Sequence, residues 1–432
     1  MADNPDVHAE AEVRLWGQMV GALVELENGR ILFEYAEEFQ RSGLEISPFH
    51  LPLNLSGPQS FEELLRLEAF LGLPGVFADA LPDAFGRSVI RAYFEARGES
   101  CRAMSAVQRL LYVGERALGA LTFHPATTVP VRPAERESLE VQALAHDARR
   151  IVQGNADVAI PEIYRIGSSA GGRRPKAIVH YDRESGTVRS GGTPRRPGEK
   201  ACILKFDGVG ADGPDGSIGS PQFYNRVEAA YRDMAAAAGI KICEIEVLPI
   251  DGYAHLLIHR FDADTHTRLH QHTLGGLLHV DYNEPGASSY EEYMRTVLRL
   301  GMAYDSLGEA FRRMVFNVLS VNQDDHVKNL SFHMDPNGEW HLTPAYDVTF
   351  ARGEGWTRAH QLRIRDKTTN IREMDLMAIA SEFGVKKPGP MIDRARSAIA
   401  DWEVFAAAYD VPRHAVSAIR SELDQRDSEL RS

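Results

Sequence analysis

Six polar or charged residues crowd one short stretch of this chain: Asn322, Asp324, Asp325, His326, Lys328 and Asn329. They follow an apolar run of Phe316, Val318, Leu319 and Val321, and a further acid, Asp347, stands in the apolar-flanked segment LTPAYDVTF. Asp324 precedes Asn329 by five residues. That spacing suits phosphoryl transfer, in which one carboxylate receives a hydroxyl proton while an amide and a second carboxylate hold magnesium. On this reading Asp324 is the base, and Asn329 and Asp347 are the metal ligands, with the oxygen donors that a hard cation requires. His326 takes an orienting or phosphate-contacting role, because no cysteine or second histidine has zinc-site spacing. A surface turn after a helix is the competing account, since Asn and Asp are common in turns. Asp325 receives no role from the letters alone.

Three other segments bear on the choice. Gly167-Ser168-Ser169-Ala170-Gly171-Gly172 separates strand-like YRI from strand-like KAIVHY, with Arg173, Arg174 and Lys176 close behind. Small residues let backbone N–H groups close around phosphate oxygens. The pattern is not a Walker A loop, and a tight β-turn explains the same letters. Lys205 lies inside the strand-like ACILKFDG, where an unpaired buried ammonium would be expensive. Pairing with nucleotide phosphates and with Glu228, on the helix that follows, would meet that need; a solvent-facing strand lysine is the alternative. In LLIHRFD, backbone groups are expected to meet an adenine edge with Arg260 and Phe261 beside it, and a structural Arg260–Asp262 pair is the alternative.

The elements that must carry these residues can be read from periodicity. Residues 1–60 alternate as strands, with a hairpin signal at Glu27-Asn28-Gly29. Helical spacing is expected in FEELLRLEAFLGLP, DAFGRSVIRAYFEARG and RAMSAVQRLLYV, and TTVPVRPAERESLEV reads as a boundary. LEVQALAHDARRIVQG is a further helix, followed by a second β-rich region. Its segment 183–200 reads as a solvated β-hairpin connection. SPQFYNRVEAAYRDMAAAAGI is an amphipathic helix stopped by Gly239. From Thr273 onward the chain is expected to be mostly helical, ending in a charged tail. The divisions are 1–140, 141–262 and 263–432.

Composition limits the function classes. At 432 residues the chain exceeds what a single core usually supports. Its 61 acids against 48 bases give a net charge of −13, which disfavours general nucleic-acid binding. No apolar run reaches the roughly 18 residues of a membrane span. The acidic start lacks the pattern of a secretory signal, and three scattered cysteines suit neither a disulfide framework nor zinc. A cytoplasmic protein is the expectation.

Taken in order, SSAGGRRPKA, ILKF, HRFD, NxDDHxKN and LTPAYDV resemble the HipA family of bacterial serine/threonine kinase toxins. VGALVELENGRILFEY, ISPFHLPLNL and LPGVFADALPDAFGR are similar to its N-terminal subdomain, so the likeness runs over nearly the whole chain. The resemblance implies an α+β, bilobal protein-kinase-like fold with a β-rich N-terminal subdomain and a helical C-terminal lobe. It implies ATP and Mg2+ as cofactors, Asp324 and His326 as catalytic residues, and Asn329 and Asp347 at the metal. On the nucleotide it implies Ser169, Ala170, Gly171, Gly172, Lys205, Arg260, Phe261, His326 and Tyr346. Ser168, or the adjacent Ser169, resembles the site of inactivating autophosphorylation, where added negative charge would repel ATP phosphates. The implied partners are a HipB-like helix-turn-helix antitoxin, DNA mainly through that antitoxin, and a protein substrate; some members phosphorylate aminoacyl-tRNA synthetases. His259 stands where members often carry Glu. A kinase-fold module that mainly sequesters the antitoxin and co-represses an operon is the rival reading, and a small-molecule kinase is a third.

Overall fold

The alternating N-terminal sequence forms β1 (Val7–Leu15), β2 (Gln18–Leu26) and β3 (Ile31–Tyr35). Ala11, Val13 and Leu15 point to one face and are buried, as a period of two requires. The β2–β3 turn falls at Asn28-Gly29, where Gly29 takes φ 80°. An earlier turn at Trp16-Gly17, which the hairpin reading passed over, splits the first run into two strands. β4 (Leu121–His124) joins β1, giving the antiparallel order β3-β2-β1-β4. A computed structural model describes residues 7–96, 98, 104–127, 138–154, 174–209, 223–263 and 267–431. The chain divides into two units: 1–222, 248–272 and 334–338 form the first, and 223–247, 273–333 and 339–432 the second.

The helix expected over residues 61–74 is absent. A single 3-10 turn, Glu62–Leu64, is followed by further turns, and Leu71 and Gly72 at φ 53° and 84° reverse the chain. Apolar spacing there serves a folded loop, not a helix. Helices do form at Ala84–Glu95, capped by the Asp83 side chain, at Ala106–Val113 and at Val141–Val152. The first and last of these pack on a second sheet of order β6-β5-β7-β9-β8, made from β5 (Lys176–Asp182), β6 (Thr187–Ser190), β7 (Lys200–Lys205), β8 (Ile245–Ile250) and β9 (Tyr253–His259). Val89, Tyr93, Leu144 and Ile151 meet Ala177, Val179, Cys202 and Leu204 in one core. Strand alternation therefore assigns Ile178, His180, Ala201, Ile203 and Lys205 to the opposite face. The connection 183–200 is more ordered than expected. It contains β6 and a buried Arg189 that donates through Nη2 to Glu199 Oε2 at 2.7 Å.

The second unit is helical. Tyr224–Ala237 buries Val227, Tyr231 and Met234 and ends before Gly239 at φ 89°, as its sequence indicates. Tyr290–Arg299 begins with a capping box in which Ser289 and Glu292 satisfy each other's backbone N–H. Asp305–Leu319 runs directly into the Asn–Asp stretch. β11 (Ser331–Met334) and β12 (Trp340–Leu342) are short strands that lay hidden in a region read as helical, and the equally short β10 (His270–Thr273) comes just before that region. Glu373–Glu382, Pro388–Ala400 and Trp402–Ala408 follow, and the charged tail is a helix, Arg413–Arg431, that buries Ile419, Leu423 and Leu430. Its Arg426 donates to the carbonyl of Val318 at 3.2 Å. A cation there satisfies an acceptor that the last turn of Asp305–Leu319 leaves open. Tyr231 packs 5.4 Å from Trp402 and donates its hydroxyl to Ser320 O at 2.9 Å. The start of the loop is thus held from both sides.

Candidate active site

The helix Asp305–Leu319 ends at Ser320, and Val321 turns the chain with φ 56°, an unusual value for a β-branched residue. The turn is fixed by backbone bonds from Asn322 N to Asn317 O at 3.0 Å and from Ala351 N to Val321 O at 3.1 Å. Asn322 Nδ2 also donates to Asn317 Oδ1 at 3.0 Å, and Asn317 Nδ2 donates to the Tyr290 hydroxyl at 2.9 Å. Two helices and a loop are thereby bound through polar side chains, although Asn322 Oδ1 stays buried without a hydrogen bond among the described residues.

Asp325 is the hub of this network. Its Oδ2 accepts from Tyr290 OH at 2.8 Å and from His360 Nδ1 at 2.9 Å, and its Oδ1 accepts from Gln361 N at 2.7 Å. The residue is 2% exposed, so its carboxylate serves these three donors and is closed to substrate. Burial and the Asp325 charge together push the Tyr290 phenol well above its ordinary range. The residue with no role in the sequence reading is the anchor of segment 356–361.

Asp324 faces the other way, with 42% of its side chain exposed. Its Oδ1 accepts from Trp356 Nε1 at 2.9 Å, while its backbone carbonyl accepts from Asn329 Nδ2 at 2.8 Å. Partial burial raises the Asp324 carboxyl; His326 and the Trp356 bond act against this, and Asp347 and Asp325 reinforce it. Solvent at the exposed oxygen screens these effects. His326 sits with Nε2 4.0 Å from Asp324 Oδ1 and its ring 5.7 Å from that of Tyr282. Burial lowers its pKa, against the pull of the three acids, which favours neutral imidazole.

Asn329, Asp347, Asp325 and Tyr346 line one cavity of about 20 Å3. That is room for about one water-sized occupant. Asn329 spends its Nδ2 on Asp324, which leaves Oδ1 as the atom to face a cation, and Asp347 adds carboxylate oxygens. This oxygen set fits magnesium, which takes oxygen ligands in a tight shell. Asp347 has φ 51°, a left-handed conformation that Asp tolerates better than most residues. Tyr346 donates its hydroxyl to Lys328 O at 2.7 Å, so that hydroxyl braces the loop from within.

In the first unit Lys205 is buried at the end of β7, on the strand face away from the core. Arg260 donates Nε to Asp262 Oδ1 at 3.0 Å, the structural pair that was the alternative for this segment. Phe261 follows at the end of β9, and Glu228 is buried on its helix in the second unit. Ser168, Ser169, Ala170, Gly171 and Gly172 lie outside the described residues. Asp324, His326, Asn329, Tyr346 and Asp347 are brought together. Trp356, His360, Gln361 and Tyr290 were missed, and no local pattern marks them: each meets the loop from more than 25 residues away. The described cysteines Cys202 and Cys243 are buried. No helix among the described residues is long and apolar enough to cross a membrane.

A β-rich first part, a helical second part and an Asn–Asp loop leading from a helix into a short hairpin define a mixed α/β protein. The HipA N-terminal domain family matches residues 11–124, and the HipA-like C-terminal domain family matches residues 168–410. The chain belongs to the HipA family. Among solved structures it is similar to Shewanella oneidensis HipA in a toxin–antitoxin complex of HipA, HipB and operator DNA. The TM-score is 0.67, at 17% identity over 96% of each chain, which is agreement in fold. It is also 24% identical to a Sinorhizobium fredii protein, Y4dM, whose name carries the word kinase. That match covers 93% of this chain and 91% of the relative.

Proposed function

We propose that this protein is an ATP- and magnesium-dependent protein serine/threonine kinase, acting as the toxin of a toxin–antitoxin pair in the cytoplasm. The observation that carries the reading is the contrast within one loop. Asp324 is open to solvent near Asn329 and Asp347, two oxygen-bearing residues on the lining of one small cavity. The Y4dM relative, with kinase in its name, supports the same class of activity.

On this reading Asp324 accepts the proton of a substrate hydroxyl while Trp356 holds the carboxylate in place through Oδ1. Asn329 Oδ1 and Asp347 would hold magnesium, which supplies neutralisation of phosphate charge. His326, neutral and packed on Tyr282, shapes the wall beside the base. Lys205, the glycine loop, Arg260 and Phe261 are the nucleotide-side residues, and Ser168 or Ser169 the site of autophosphorylation. The functional divisions are 1–140, 141–262 and 263–432. The Shewanella complex supports a HipB-like antitoxin as partner, with DNA contacted mainly through it; an antitoxin-binding co-repressor role is the second reading that the same complex favours. The substrate class is a protein Ser or Thr, and an aminoacyl-tRNA synthetase is one member of that class.

The test is phosphate transfer from radiolabelled ATP into a cell lysate, comparing this chain with Asp324→Ala. Transfer should disappear in the variant while its thermal melting stays unchanged. Equal transfer by both proteins would refute the assignment, and no transfer by either would favour the antitoxin-binding reading. Phosphoproteomics of cells expressing the two forms would then name the substrate.

A further inference from the structure

Two charged residues with no part in the phosphate-transfer site, Asp83 and Lys176, meet inside the first unit. Asp83 Oδ2 lies 3.6 Å from Lys176 Nζ, and each side chain is 5% exposed. At that length the contact is an ion pair and not a hydrogen bond. The other carboxylate oxygen, Oδ1, accepts from Gly86 N at 2.7 Å and caps the helix Ala84–Glu95. One acid therefore fixes both the start of that helix and the head of Lys176. Asp83 lies in the part matched by the HipA N-terminal domain and Lys176 in the part matched by the C-terminal domain, so the pair ties the two.

Lys176 is the first residue of β5, four positions after the last glycine of the segment expected to cover ATP phosphates. In the ladder it stands directly opposite Lys205, the lysine expected to meet those phosphates. The pairing continues one residue further, where Phe206 N donates to Pro175 O at 3.2 Å. Opposed residues of an antiparallel pair have Cβ atoms about 5 Å apart, and like charges there repel. The Asp83 carboxylate offsets that repulsion and holds Lys176 to one place.

Stability alone is a weak reason for such a pair. Burial pushes the Asp83 carboxyl up, against the pull of the Lys176 ammonium and the Gly86 N–H. A buried ion pair is often no more stabilising than two apolar side chains of the same volume, because desolvation consumes the Coulombic gain. What the pair adds is a defined position: an ammonium this deep has to go where its carboxylate is. We propose that Asp83 is a positioning residue for nucleotide binding: through Lys176 it fixes the start of β5 against Lys205 and so sets the affinity for ATP phosphates. This role rests on the kinase reading, which assigns Lys205 and the glycine segment to the nucleotide.

Calorimetric titration of the full chain with a non-hydrolysable ATP analogue, and separately with adenosine, tests this. Asp83→Asn keeps an oxygen for Gly86 N and removes the charge. It should weaken binding of the ATP analogue roughly tenfold, the scale of lost preorganisation, and leave that of adenosine unchanged. Lys176→Met should do the same. Each single variant leaves one buried charge alone and should melt at a lower temperature than the wild type. The double variant carries neither charge and should melt above both, yet bind the ATP analogue no better than they do. Wild-type affinity for the analogue in the double variant, or an equal loss for adenosine and the analogue, would overturn the positioning role and leave the kinase reading intact. A wild-type chain that binds no ATP analogue would overturn both.

Discussion

Two hydrogen-bonded chains in this molecule use the same chemical groups and come to different ends. In the first unit Ser47 Oγ donates to His272 Nε2 at 3.1 Å, and His272 Nδ1 donates to Asp79 Oδ2 at 2.7 Å. That is the hydroxyl–imidazole–carboxylate order of a hydrolase triad. In the second unit Tyr290, His360 and the Gln361 backbone converge on Asp325. Both arrangements are sealed: Ser47 is 1% exposed, His272 0% and Asp325 2%. The second region is a candidate site because its hub lies next to Asp324, which reaches water and neighbours an ion-sized cavity. Among the described residues the first has no such neighbour. It joins β10 to the segments around residues 47 and 79, and its chemistry goes no further than that. Geometry in the absence of access is architecture.

The contrast can be broken by substitution. Asp324→Ala should reduce phosphate transfer by about 10²- to 10⁴-fold with little change in stability, the range for loss of a general base. Asp325→Ala should do the reverse in kind. Three buried donors would lose their acceptor, and the urea midpoint should fall by an amount worth about 3 kcal/mol or more. Asp325→Asn, which keeps one acceptor oxygen, should lose less. If Asp325→Ala remained fully stable yet inactive, the hub would have to be reassigned to the chemistry.

In the sealed region of the first unit the expected signal is pH dependence. His270 donates Nε2 to Ile46 O at 2.9 Å, and burial, aided by His272, lowers its pKa to about 4. The unfolded chain takes up this proton first, near pH 6.5, so stability is present above that value and lost as pH falls towards 4. Between pH 7 and 5 the loss is about 2 kcal/mol from this residue. Denaturant titrations at the two pH values should show it in the wild type and a smaller change in His270→Gln.

Smaller effects sharpen the boundary between the regions. Trp356→Phe removes one donor from Asp324 and keeps the ring. A bond worth about 1 kcal/mol corresponds to roughly a fivefold fall in kcat, with the KM for ATP unchanged. Ser47→Ala should cost about 1 kcal/mol of stability and leave phosphate transfer intact. Measurable loss of activity in Ser47→Ala would show that the sealed triad is more than a tie.

Much of this was legible in the letters. Alternation in residues 7–35, the helix of residues 224–237 with its glycine stop, and the two helices before the Asn–Asp stretch follow from short-range periodicity, which needs no knowledge of the partner surface. Where spacing was read without chain reversal, at residues 61–74, a helix was expected and a turned loop formed. The short strands after residue 270 were missed because three or four residues carry too little pattern to be seen.

The sequence by itself determined which residue types stand near Asp324, since Asn322 to Asn329 arrive together on one loop. It could not determine which of two adjacent acids faces solvent. Residues 290, 356, 360 and 361 decide that by burying Asp325 and bracing Asp324, and they meet the loop only once the chain has folded. A hydrogen bond forms over about 3 Å, whatever the distance along the chain. That is why the division of labour between the two acids belongs to the tertiary structure.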